Sequence, residues 1–159
     1  MIKTERLTKR YDTLTAVDGV SFEARPGEVL GFLGPNGAGK TTTMLMIAGV
    51  IAPTEGRASI CGHDIEREPL AAKAKLGYLP EGAPSYGEMS VQGFLEFIAD
   101  LRDLTGAARR IRLEQVTERL GLGSVAAQTT DTLSKGFRRR VGIAQAILND
   151  PPVLILDEP

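Results

Sequence analysis

Residues 32–45 read FLGPNGAGKTTTML. An apolar run leads in, a loop almost free of side chains follows, and a lysine with three threonines opens the next apolar run. Such a loop packs no core, so its backbone must be the working part. Gly34, Gly39, Lys40 and Thr41 fill the spacing G-x-x-x-x-G-K-[ST]. The flanks suit that motif, with a continuously apolar strand expected over Val29–Leu33 and a helix over Lys40–Val50. In this reading the amides of Gly34, Pro35-Asn36-Gly37-Ala38 and Gly39 wrap the phosphates of a nucleotide, proline excepted, and the helix dipole adds to the attraction. Lys40 bridges the β- and γ-phosphates, the Thr41 hydroxyl ligates Mg²⁺, and Thr42 reaches the α-phosphate.

Upstream, Val20–Ala24 alternates apolar with polar, as a half-exposed strand does, and Pro26-Gly27 marks a turn. Downstream, short strands are expected at Arg57–Ile60 and Leu76–Leu79. The middle of the chain is helical in pattern. Ser90 reads as an N-cap, with Val91, Phe94, Leu95, Ile98 and Leu101 on one stripe. Further helices are expected over Ala107–Leu120, stopped by Gly121, and over Phe137–Leu148, stopped by Asn149-Asp150-Pro151. A mixed sheet is expected to carry the rest. Met44 and Met46 read as packing residues.

Val153–Leu156 is again wholly apolar, and Asp157-Glu158 follow it. A buried strand thus delivers two carboxylates at its C-terminal end, where ligands sit in open α/β sheets. Asp157 would hold the Mg²⁺ shell and Glu158 would orient and polarise an attacking water.

Composition sets the limits. The chain has 159 residues, 42% hydrophobic and 25% charged, with net charge −1. This is enough for one domain with a real core, and bulk charge points to no nucleic-acid binding. The single cysteine, Cys61, permits no intrachain disulfide. The start, MIKTERLTKRYD, lacks the apolar core of a signal peptide. The longest apolar run, Met44–Ala52, falls far short of the about 18 residues that span a bilayer. His63, in Cys61-Gly62-His63-Asp64, reads as a loop histidine rather than a metal ligand. The triplet Arg138-Arg139-Arg140 reads as a solvated helix face with some contact to the nucleotide.

The ordered set of motifs resembles the ATP-binding-cassette (ABC) family over nearly the whole length. Thr132–Val141, TLSKGFRRRV, resembles that family's signature stretch, and Tyr78-Leu79-Pro80-Glu81 resembles its glutamine loop. Tyr11 stands at the spacing of the family's adenine-stacking aromatic, and Ala16–Phe22 resembles the stretch that follows it. The resemblance implies an α/β fold: a P-loop NTPase core with an N-terminal antiparallel β subdomain and an α-helical insert, cut off after the Walker B strand. It implies a partial ABC ATPase domain over 1–159, with the β subdomain and phosphate-loop core in 1–83, the helical insert ending in the signature helix in 84–148, and the Walker B strand in 149–159.

The resemblance implies ATP and Mg²⁺ as ligands, Glu158 and Lys40 as catalytic residues, and Tyr11 and Val17 at the adenine. Thr41 and Asp157 would serve the metal, and Glu81 would either serve it too or point away and meet a basic residue of the partner. Ser134 and Gly136 would touch the γ-phosphate held by a second nucleotide-binding domain in a head-to-tail dimer. It also implies an integral-membrane permease as partner, no nucleic acid, and a location at the cytoplasmic face of the membrane. Lys135 departs from the usual signature glycine, Phe137 from the glutamine, and Glu81 from the loop glutamine; the form resembles multidrug and gliding-motility exporters. The missing crossover and strand after Pro159 make the chain read as a fragment, expected by itself to bind ATP weakly and to turn over negligibly. The rival readings are a soluble ABC ATPase acting on ribosomes or DNA and a non-catalytic, ATP-gated dimerisation module.

Overall fold

Two residues, Asp12 and Thr13, turn the first strand back on itself: β1 (Ile2–Tyr11) and β2 (Leu14–Ala24) pair antiparallel, closing at Tyr11 opposite Leu14. Asp12 takes φ 47°, a left-handed angle that aspartate tolerates better than most residues. β3 (Glu55–Ile60) pairs with the other edge of β1, and the two-residue β4 (His63–Asp64) pairs with β3. The order is β2-β1-β3-β4, the N-terminal antiparallel layer expected from the sequence. The structure is a computed structural model and describes residues 1–82 and 86–157. It divides into two units, Met1–Leu76 and Gly77–Pro159.

In the first unit, α1 (Lys40–Ile47) packs on this sheet. Leu7, Ala58 and Ile60 of the sheet and Met46 and Ile47 of the helix are all fully buried. A short helix, α2 (Pro69–Ala74), follows β4 and starts on a proline, whose missing N–H costs nothing at a helix start. The turn expected at Pro26-Gly27 is present: Glu28 N–H donates to Arg25 O at 3.1 Å.

The strand expected over Val29–Leu33 is absent. Residues 28–35 take no regular structure, no described strand pairs with them, and Val29 and Leu33 are 97% and 96% exposed. A strand buried on both faces depends on a ladder partner and on cover from two layers. No described residue supplies either. Phe32 is anchored, its ring edge-on to Phe22 at 5.1 Å.

The second unit carries β5 (Leu76–Leu79, its first residue at the boundary), α3 (Val91–Leu101), α4 (Gly106–Arg119), α5 (Lys135–Ile147) and β6 (Val153–Leu156). The Ser90 hydroxyl accepts from Gly93 N–H at 3.1 Å and caps α3. Val91, Phe94, Leu95 and Ile98 of the stripe are buried, but Leu101 is 64% exposed. Leu101 is in phase with the stripe, seven residues after Phe94, but it is the last residue of α3, and Ala99 is buried instead. The three helices pack on each other around Phe94, Leu95, Val116, Leu122, Val141 and Leu148.

β5 and β6 form a separate two-stranded sheet, so the strands do not join into the single mixed sheet expected. Gly77 of β5 is forced by packing: a Cβ there would lie 2.0 Å from Ala146 O, 2.8 Å from Pro151 Cγ and 2.9 Å from Leu154 Cδ1. Strand and helix α5 therefore approach backbone to backbone.

Candidate functional site

The phosphate loop is built by what α1 lacks. Serines cap α3 and α5; α2 and α4 have no side-chain cap, and before α1 stands Gly39, at φ 82° and ψ 10°, likewise without one. The amides of the first turn are thus left for a ligand, at the positive end of the helix dipole. Gly39 cannot be replaced there. Its φ disfavours any side chain, and a Cβ would stand 2.3 Å from Ala16 O and 3.0 Å from Val17 Cγ2. The same contact brings Val17, a buried residue of β2, against the loop.

Lys40 folds back over the loop. Its Nζ donates to Gly34 O at 2.7 Å and Pro35 O at 2.8 Å. An ammonium has three donors, so one remains for an incoming oxygen. Ala38 N–H closes the loop on Pro35 O at 3.2 Å. Thr43, not singled out in the sequence, is buried and donates its hydroxyl to Gly39 O at 2.8 Å. Thr41 is exposed and Thr42 half-buried, and neither hydroxyl has a hydrogen bond among the described residues.

Tyr11, at the end of β1, is 46% exposed. Lys9 Nζ sits 5.1 Å from its ring centroid and is itself tied to Ala52 O at 2.8 Å.

In the second unit, Asp157 follows β6 and is buried. Both of its backbone groups are fixed: the N–H donates to Leu79 O at 2.9 Å, and the carbonyl accepts from Arg139 Nη2 at 3.1 Å. Its Oδ2 is buried with no hydrogen-bond partner. A carboxylate oxygen left so is costly unless a cation or ordered water meets it. That donor type, a hard oxygen, fits Mg²⁺. Among the described residues no group of three or more His, Cys, Asp or Glu could hold a metal by itself. An ion that takes one carboxylate, one hydroxyl and substrate phosphates needs no such cluster. Glu158 lies outside the described residues. Glu81 is exposed just beyond β5, ahead of residues 83–85, which also lie outside the description.

Ser134 caps α5, its Oγ accepting from Phe137 N–H at 3.3 Å. The hydroxyl proton is left over, so the residue can still donate. Gly136 is exposed, with no close neighbour for a Cβ nearer than Ser134 Oγ at 4.0 Å. Phe137 packs against the helical core and carries Arg140 Cζ 5.2 Å above its ring. α5 begins two residues earlier than the apolar pattern indicated, at Lys135.

The arginine triplet is not uniformly solvated. Arg138 and Arg140 are exposed, but Arg139 is half-buried and bonds to Asp157. Consecutive helical residues point about 100° apart, and three identical residues give no sign of which one turns inward. Tyr78 enters the sequence reading only as part of the glutamine-loop stretch, with no role of its own. Its hydroxyl is buried without a partner, and burial first, then the Asp157 charge, push the phenol's pKa up.

The family's sequence profile, described as ABC transporter, matches residues 17–159. The chain belongs to the ABC transporter family. The probable multidrug ABC transporter ATP-binding protein YbhF of Escherichia coli is 37% identical over 159 residues, all of this chain and 28% of that protein. The Nod factor export ATP-binding protein I of Burkholderia pseudomallei is 39% identical over 158 residues, 99% of this chain and 52% of that one. The chain therefore spans about half the length, or less, of these ABC relatives. Among solved structures, an ATP-binding subunit of an ABC transporter superposes with TM-score 0.91 at 30% identity, covering 99% of this chain and 66% of that one. A dimeric ATP-binding cassette in a post-hydrolysis state with ADP and Pi gives TM-score 0.89 at 26% identity, covering all of this chain and 74% of that one. The fold is thus that of ABC ATPase cassettes. None of the described helices is long and apolar enough to cross a membrane.

Proposed function

We propose that the chain is the ATP-binding part of an ABC transporter subunit that hydrolyses ATP and powers export through a separate membrane-spanning partner. The observation that carries this reading is the uncapped start of α1, with Lys40 held over the glycine loop by Gly34 O and Pro35 O. The names of the multidrug and Nod factor relatives support the export class.

The chemistry follows from charge. Water attacks the γ-phosphate in line, and charge spreads over the phosphoryl oxygens. The loop amides and the spare Lys40 proton meet that charge in a preorganised array. Thr41 and Asp157 would hold Mg²⁺, which would supply positive charge against the developing phosphoryl charge. Glu158 orients the attacking water. Tyr11 and Val17 would bracket the adenine, and Glu81 would serve the metal. Ser134 and Gly136 present the start of α5 to the nucleotide of a second copy, so that ATP joins two domains and hydrolysis releases them. The permease then places the subunit at the cytoplasmic face.

The test uses the full-length subunit. Lys40→Ala abolishes nucleotide binding, and Glu158→Gln accumulates an ATP-bound dimer that gel filtration detects. Hydrolysis at the parent rate by Glu158→Gln would reject the assignment of the base.

A further inference from the structure

Two buried oxygens at the end of the β5–β6 ladder have no hydrogen-bond partner, Tyr78 Oη and Asp157 Oδ2. One belongs to a donor and the other to an acceptor. The strand register puts them on one face. Asp157 N–H bonds to Leu79 O, and Gly77 lies against Leu154, so β5 and β6 run parallel with Gly77 beside Leu154, Tyr78 beside Ile155 and Leu79 beside Leu156. Side chains alternate along each strand. Gly77 faces α5, so Tyr78 faces away from it, on the side of Ile155 and Asp157. The Asp157 charge acts on the Tyr78 phenol, which agrees with that placement. Diagonal neighbours on paired strands, about 7–8 Å apart, are within reach of an aromatic side chain.

The backbone of Asp157 is pinned from both sides, so only the carboxylate can turn. A carboxylate that ligates a metal works best when its second oxygen is held by a donor. We propose that Tyr78 is a positioning residue for the metal-binding carboxylate, its hydroxyl donating to Asp157 in the nucleotide-loaded site and so turning the other oxygen to the cation. This rests on the reading of Asp157 as a magnesium ligand. Unsatisfied in the ligand-free fold, the hydroxyl finds its partner on loading, so its benefit is confined to the loaded state.

The experiment is a Mn²⁺ titration of the full-length subunit, followed by electron paramagnetic resonance with a non-hydrolysable ATP analogue at saturation. Tyr78→Phe should weaken Mn²⁺ about tenfold, the scale on which removing a ligand's supporting hydrogen bond acts. Analogue binding in EDTA should stay at the parent level. The metal-free variant should melt no lower than the parent, because the lost hydroxyl had no partner to lose. Asp157→Asn is run beside it. Parent Mn²⁺ affinity in Tyr78→Phe with weakened affinity in Asp157→Asn overturns the tyrosine's role and leaves the magnesium reading intact. Parent affinity in both overturns both. A lower melting point of metal-free Tyr78→Phe also overturns the proposal, by making the hydroxyl a structural bond.

Discussion

Arg139 Nη2 donates to the carbonyl of Asp157 at 3.1 Å, across 18 residues of chain. Helix α5 is thereby fastened to the residue that follows β6. A hydrogen bond from a charged group, partly screened, contributes about 1–2 kcal/mol. Arg139→Ala should lose that much stability in urea, while Arg138→Ala, one residue earlier and exposed, should change nothing. Equal effects would return the triplet to a solvated face.

Arg112 gathers the other end of α5. Its Nε donates to Leu148 O at 2.9 Å and its Nη2 to Ile147 O at 2.8 Å, with Asp150 Oδ1 at 3.2 Å. Those carbonyls have no partner within the helix, and a cation suits the negative end of its dipole. Arg112→Ala should cost about 2 kcal/mol in urea unfolding. Arg112→Lys should recover only part of it, since one ammonium nitrogen cannot stand where both Nε and Nη2 of the planar fork stand.

Gly39→Ala adds one methyl where a carbonyl stands 2.3 Å away and φ is 82°. The loop must shift off β2, which misaligns the amides. Fluorescent-nucleotide titration of the full-length subunit should find binding weakened at least as much as by Lys40→Ala. Gly37→Ala, with open space around it but φ 83°, should be milder.

The Tyr78 phenol has its pKa raised in the folded protein. The raised value means that the folded state holds the proton longer than the unfolded state. Its contribution is complete below about pH 10, the unfolded tyrosine value, and is lost as pH climbs through the folded value. The stability difference between the parent and Tyr78→Phe should therefore be flat below that pH and shift in favour of the phenylalanine variant above it. Urea melts at several alkaline pH values check the sign.

Much of this was legible before the fold was seen. Leu76–Leu79 and Val153–Leu156 fall where apolar runs put them, because a short strand buried in a sheet is apolar throughout. Ser90 as a cap and Gly39-Lys40 as loop and helix start are local chemistry, which sequence carries well. Val29–Leu33 failed for the opposite reason: a strand is a property of its neighbours, and an apolar run says nothing of whether a ladder partner is at hand. Leu101 failed because it is the last residue of α3, in phase with the stripe but exposed where the helix ends. β1 went unnoticed because IKTERLTKRY mixes charges on both faces, and its bulges between Thr4 and Leu7 break the alternation. Arg139 and Tyr78 depend on contacts between distant residues that no spacing encodes.

Lys9 covers one side of the Tyr11 ring. A cation there polarises the aromatic cloud and leaves a single open face for a purine. Stacking reads the breadth of a base and not its hydrogen-bonding edge. A subunit that grips its nucleotide in this way should distinguish adenine from guanine poorly, and GTP should displace a labelled ATP analogue at concentrations within about tenfold of ATP itself.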